Sequence, residues 1–242
     1  MPVSLKSQTV LVVGASSGIG RSIAVHFARD GATVMASARR QDRLSDLQEE
    51  LAEENIDIGI STADATNAAA MEELAARTIE QFEKIDILVY VSGTNTRDRA
   101  MVNLTTKSWD EVITVNLSGA YYATRAVLPA MRERKSGHLI YISSISGIVP
   151  DLSGAAYQAS KRGMLGLAHA IRIEEKENGI RTCVICPGMV DTEILEKRPV
   201  KPPPEMLTKA LQSDDVAEAV LFAAKLPPRA VVPEMQLMPT VL

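Results

Sequence analysis

The sequence predicts an α/β fold: a doubly wound, mostly parallel sheet of about seven strands with helices on both faces. Residues 1–242 read as a single domain. Three observations carry this. Short, nearly unbroken apolar runs alternate with longer helical stretches along the whole chain. A glycine turn joins the first of those runs to the first helix. The 242 residues, 46% hydrophobic and 23% charged, suit one large core, and there is no repeat or low-complexity tract.

The elements follow in order. "TVLVV" at 9–13 is the first strand, and a helix starts after Gly18. "TVMAS" at 33–37 is the next apolar run, with helices beginning near Asp42 and near Asn67. "DILVYV" at 86–91 precedes a helix from 108 to about 134, with Ser108-x-x-Glu111 as its capping box. "HLIYIS" at 138–143 leads to a helix from about Ala155 to 178, and "RTCVIC" at 181–186 is the next strand. Residues 189–210 read as a flap, because the prolines of "EKRPVKPPPEM" exclude regular helix. A helix near Asp214 and a strand in "VVPEMQL" at 231–237 complete the pattern.

Composition narrows the function. A net charge of −4 argues against nucleic-acid binding. No apolar run is long enough for a bilayer and "MPVSLKSQ" is not a signal peptide, so a cytoplasmic location is expected. Cys183 and Cys186 sit in a strand-like run that sends them to opposite faces, which disfavours a redox or metal pair. His26, His138 and His169 are scattered, and no metal site is expected.

The phosphate end is explicit. Gly14, Gly18 and Gly20 allow a tight turn, close approach of phosphate and close helix–strand contact, with Ser16, Ser17 and Ile19 in the same turn. The helix N-terminus offers free N–H groups to a pyrophosphate. After the second strand the chain reads Ser37-Ala38-Arg39-Arg40, with no carboxylate before Asp42. A guanidinium there suits a 2′-phosphate, so Arg39 points to NADP rather than NAD; Arg40 and Arg43 read as a solvated helix start.

Tyr157 and Lys161 are four residues apart, which on a helix places phenol and ammonium on one face. Moving a tyrosine roughly three units down from its pKa of about 10 takes about 4 kcal/mol of preference for the phenolate. A neighbouring ammonium supplies that sign.

"GASSGIG", "NLSG", the paired serines and "YQASK" together resemble the short-chain dehydrogenase/reductase family, in order and spacing, through nearly the whole chain. The resemblance implies a tetrad of Asn116, Ser144, Tyr157 and Lys161. Tyr157 would be the general acid or base and Lys161 would also meet the nicotinamide ribose. Ser144 would polarise the substrate oxygen, and Asn116 would position a water linking Lys161 to solvent. It further implies cofactor contacts from Asp64, Gly93, Pro187, Gly188, Val190 and Thr192. Substrate contacts would come from Ser144, Ser146, Tyr157 and Met189, with Thr94–Thr96, Gly147, Val149, Leu152, Ile194 and Leu195 as further pocket candidates; Arg97 and Arg99 could attract an acidic substrate but read as exposed loop arginines.

The chain departs from the family twice: Tyr90-Val91-Ser92-Gly93 replaces the usual Asn-Asn-Ala-Gly, and the chain ends "PEMQLMPTVL" rather than in a glycine-rich segment. That ending resembles members that reduce small hydroxy-acid precursors or aldehydes more than the 3-oxoacyl-carrier-protein reductases. The implied function is an NADP(H)-dependent oxidoreductase interconverting a ketone or aldehyde with its alcohol, and the mostly apolar pocket candidates suggest a medium-sized, partly hydrophobic substrate. Its alternatives are a 3-oxoacyl-carrier-protein reductase or a catalytically silent cofactor-binding regulator. Excess apolar surface on the helices at 108–134 and 155–178 implies a homodimer or homotetramer.

Overall fold

The computed structural model describes residues 3–241. Seven strands form one sheet: β1 (Thr9–Val13), β2 (Thr33–Ala38), β3 (Gly59–Thr62), β4 (Ile87–Tyr90), β5 (Gly137–Ile142), β6 (Ile180–Pro187) and β7 (Glu234–Leu237). Their order is β3-β2-β1-β4-β5-β6-β7, and every neighbouring pair is parallel. The strands run unbroken in apolar residues because both faces are covered. Alternate residues feed two cores.

On one face, Val10, Val12, Val34, Ala36, Ile140 and Ile185 pack with helices α1 (Gly18–Arg29) and α2 (Gln41–Glu53). On the other, Leu11, Val13, Leu88, Tyr90, Tyr141 and Val184 meet α3 (Ala68–Phe82) and a broken helical stretch. That stretch is α4 (Thr106–Ile113), a π turn (Thr114–Ser118) and α5 (Gly119–Arg134). The second face also carries α6 (Ala155–Glu174). Helix α7 (Pro204–Leu207) is a single turn, and α8 (Ser213–Ala224) returns to the first face, where Ser22 Oγ of α1 donates to Asp214 at 2.6 Å. Cys183 lies in the first core and Cys186 in the second, as the strand pattern requires, and burial pushes both thiols up to about 12.

Four sequence expectations shift. Strand β3 goes unmarked in the hydrophobic pattern because it is a short edge strand, with Gly59 against the Phe82 ring and Thr62 exposed. The helix expected from Ser108 starts earlier: Thr105 is its cap and accepts from Ser108 N at 3.1 Å. It is broken where the π turn inserts. The proline-rich flap does contain helix, because Pro204 occupies a first-turn position where no N–H is needed.

Candidate active site

The strand order reverses between β1 and β4, and the C-terminal ends of β1, β4, β5 and β6 open there into one cleft of about 530 Å³. All the positions expected to touch a dinucleotide, from Gly14 to Thr192, line it, as do Ser144, Ser146 and Met189. Gly147, Val149, Leu152 and Thr96 do not. Leu152 is 94% exposed, and a side chain at Gly147 would strike the Lys161 backbone at 2.9 Å.

The glycine turn is closed on itself. A Cβ at Gly20 would sit 2.1 Å from Gly14 O, and Gly14 holds φ +106°, where an L side chain is strained. Gly14 and Ala15 donate to Ser37 O at 2.7 and 2.9 Å, tying the turn to β2. The cradle is therefore narrow, without side chains at its three glycines and rimmed by α1's free N–H groups, which fits a pyrophosphate. Arg39 is exposed on the rim, without an ion pair or side-chain hydrogen bond among the described residues. Arg40 departs from the solvated reading. It donates to Ser17 Oγ at 2.8 Å and Ser16 Oγ at 3.1 Å, and pairs with Glu193 of the flap at 3.1 Å. Arg43 approaches the same carboxylate at 3.8 Å. Asp64 turns back on Thr66, accepting from its N and Oγ1, both at 2.9 Å.

The base of the flap is paired to the segment just before α8: Leu211 N donates to Met189 O and Asp191 N to Leu211 O. Farther along, Arg97 donates to Glu196 O at 3.2 Å and Arg99 to Lys197 O at 2.7 Å. The two edges of the cleft are thus held to the flap by arginines from opposite sides.

At the chemical end, Tyr157 and Lys161 share a face of α6, with Nζ 5.6 Å from the ring centroid. Lys161 is buried, and its hydrogen bond goes to Ile142 O at 2.8 Å rather than to the phenol. Burial brings the ammonium down to about 8. Burial also raises Tyr157; the Ser144 hydroxyl, Arg99 and Arg198 pull it back, while Asp151 pushes it up. The sequence alone points to Lys161 for the downward pull. In the structure the opposing contributions come from Ser144 and two arginines. Ser144, extended just past β5, donates to Ser146 Oγ at 3.2 Å, and Ser146 donates to Asp151 at 2.5 Å.

Asn116 does not line the cleft. It sits fully buried in the π turn, donating to Thr94 O at 3.0 Å and Ser160 Oγ at 2.9 Å while accepting from Thr94 N at 2.7 Å. Its amide therefore bridges the loop after β4 to α6, and its hydrogen bonds among the described residues go to Thr94 and Ser160 rather than to Lys161. A Cβ at Gly93 would lie 3.4 Å from Lys161 Nζ, so this glycine keeps the loop close to the ammonium. Ser160, Asp151, Lys197 and Arg198 are not singled out by the sequence. Only Ser160 carries a signal there, as the residue next to Lys161 and one turn from Tyr157.

The model of the short chain dehydrogenase family matches residues 8–202, and the chain belongs to that family. It is 34% identical over 238 residues to an uncharacterized oxidoreductase of Staphylococcus saprophyticus, covering 98% of this chain and 99% of that one. A closed form of serine dehydrogenase complexed with NADP+ superposes with a TM-score of 0.88 at 33% identity, covering 97% and 96% of the two chains. An actinorhodin polyketide ketoreductase with NADPH gives 0.88 at 29%, covering 98% and 97%. The chain is an oxidoreductase of this family.

Proposed function

We propose that this family member is an NADP(H)-dependent enzyme interconverting a ketone or aldehyde with its alcohol, with Tyr157 as the proton-transferring group. The observation that carries the reading is the juxtaposition on α6. A half-buried phenol and a buried ammonium one turn apart line the same cleft as a bare glycine cradle.

The nicotinamide supplies or accepts the hydride. Gly14, Gly18 and Gly20 would receive its pyrophosphate, and Arg39 with Arg40 would meet a 2′-phosphate at the rim. Val190 and Thr192 would meet the carboxamide. In reduction, Tyr157 donates its hydroxyl proton to the carbonyl oxygen as that oxygen gains charge; in oxidation it takes the proton from the alcohol. Ser144 holds that oxygen by a hydrogen bond. The Ser144 hydroxyl and the Arg99 and Arg198 charges favour the ionised phenol, and Lys161 would meet the nicotinamide ribose. Asn116 acts by position, fixing the loop after β4 against the helix that carries the pair.

The apolar faces of α5 and α6 support a homo-oligomer. Tyr121 and Ile173 are 47% and 55% exposed, and a side chain at Gly166 would meet nothing within 4 Å. Sedimentation at micromolar concentration should give at least a dimer; a monomer contradicts this.

An assay of NADPH against NADH consumption across ketones, aldehydes and 3-oxo thioesters tests the activity. Consumption with free carbonyl compounds and a preference for NADPH are expected. Consumption restricted to carrier-bound thioesters would move the reading to an acyl-carrier-protein reductase, and none at all to a regulator.

A further inference from the structure

At the glycine-turn rim an anion site is already built, and the protein's own flap fills it. The Arg40 guanidinium donates to Ser16 Oγ at 3.1 Å, to Ser17 Oγ at 2.8 Å and to the Glu193 carboxylate at 3.1 Å. Arg43 faces the other oxygen of that carboxylate at 3.8 Å. Arg39 stands exposed on the same rim and, among the described residues, makes no ion pair or side-chain hydrogen bond. Partial burial pushes the Glu193 carboxyl up, but Arg40, Ser17 and Arg43 outweigh it and hold the group below the usual carboxylate range. Glu193 is therefore an anion at neutral pH.

Glu193 is brought there by its neighbours. Thr192 lies so close to the glycine turn that a Cβ at Gly18 would sit 3.1 Å from Thr192 Cγ2. One residue earlier, Asp191 N donates to Leu211 O at 2.8 Å, which fixes the main chain entering this position. Glu193 then opens a 3-10 turn, Glu193–Lys197. Its side chain is 53% exposed and that of Arg40 42% exposed. An ion pair so exposed is weak, and an anion that engages Arg39 as well can exchange with it. A 2′-phosphate on Arg39 and Arg40 would face the Glu193 carboxylate as a like charge, whereas a nucleotide ending in a 2′-hydroxyl would not. No carboxylate follows the second strand before Asp42, yet the fold delivers this one from 153 residues away.

We propose that Glu193 is a specificity-determining residue for the nucleotide: its carboxylate competes with the 2′-phosphate for Arg40 and so limits the preference for NADP(H) over NAD(H). The inference rests on the NADP(H) reading above and names the residue that opposes it. The phosphate gains Arg40 only as Glu193 lets go, while NAD(H) binds with the pair intact. Because Asp191 and Thr192 are anchored, the exchange is a swing of one side chain at the rim.

The test is binding rather than turnover. Adenosine 2′,5′-bisphosphate and 5′-AMP isolate the phosphate, and NADPH and NADH repeat the comparison with whole cofactors. Each is titrated calorimetrically in about 0.05 and 0.5 M salt. Glu193→Gln should tighten the bisphosphate and NADPH by about fivefold, the strength of an exposed ion pair, while 5′-AMP and NADH stay within about twofold. The gain should shrink at the higher salt. Glu193→Asp, which keeps the charge, should bind the bisphosphate within about twofold of wild type. Affinities unchanged in Glu193→Gln, all four ligands tightened equally, or all four weakened, as for a clamp closed over the cofactor, would overturn the inference and leave the NADP(H) reading standing. If neither wild type nor Glu193→Gln binds the bisphosphate tighter than 5′-AMP and NADPH tighter than NADH, the NADP(H) reading itself fails and takes the inference with it.

Discussion

Tyr90 Oη donates to Val115 O at 2.5 Å, joining the end of β4 to the π turn that holds Asn116. The family pattern usually has an amide here, and a phenol does the bracing instead. It fits because Gly119 has no side chain: a Cβ there would lie 2.2 Å from the phenol oxygen. Burial keeps the Tyr90 hydroxyl protonated and therefore a donor.

Tyr90→Phe should remove the hydrogen bond to the part-buried Val115 carbonyl and lower unfolding free energy by about 1 kcal/mol, measured by urea denaturation. Gly119→Ala should do more, since it drives a carbon into the same oxygen. Both should lower kcat, because the brace holds the π turn that carries Asn116 and, through it, the loop after β4 against α6. Wild-type stability in both variants would contradict the brace.

Lys161 should be a stability liability kept for chemistry. Its folded pKa near 8 lies below the ordinary 10.5, so burial penalises the charged form fully below pH 8 and the penalty fades towards pH 10.5. Lys161→Met should therefore gain on the order of 1–3 kcal/mol at pH 7 without nucleotide, less the lost bond to Ile142, while losing turnover. The gap to wild type should close between pH 8 and 10.5. Equal destabilisation at every pH would count against it.

His138 should make folding acid-sensitive. Burial, helped by Arg181, holds it down to about 3 from 6.5, and neither ring nitrogen has a hydrogen-bond partner among the described residues. Between those pH values the unfolded chain binds the extra proton, so stability present above pH 6.5 is lost as pH falls, by roughly 1.4 kcal/mol per unit at most. His138→Leu should remove this slope at little cost near pH 7, as differential denaturation from pH 4 to 7 would reveal. Parallel pH profiles for variant and wild type would refute it.

Arg39→Asp should cut kcat/KM for NADPH by about 10- to 100-fold and raise relative use of NADH. Arg40→Ala should weaken cofactor binding for both nucleotides, since Arg40 also holds the serines of the glycine turn. An unchanged NADPH-to-NADH ratio in Arg39→Asp would remove Arg39 from the 2′-phosphate.

The features legible in the sequence are those that local rules control. The glycine turn needs residues without side chains at fixed spacing, and Tyr157 with Lys161 needs only the helical repeat, so both can be placed before any coordinates. Strands buried on both faces declare themselves by apolar runs; β3, half exposed at the sheet edge, does not. The contacts that escape are long-range. Arg40 reads as a helix-start cation until Glu193, 153 residues later, is found facing it. Arg99 reads as a loop arginine until Gly154 and the flap enclose it. The bond from Asn116 to Ser160 spans 44 residues and depends on a π turn for which the sequence carries no period.

The central claim is that Tyr157 transfers the proton. Tyr157→Phe, followed by NADPH consumption with a reducible carbonyl compound and by NADPH binding titration, tests it most directly. Turnover should fall by about 100-fold or more while cofactor affinity stays within about threefold. Turnover equal to wild type would contradict the account.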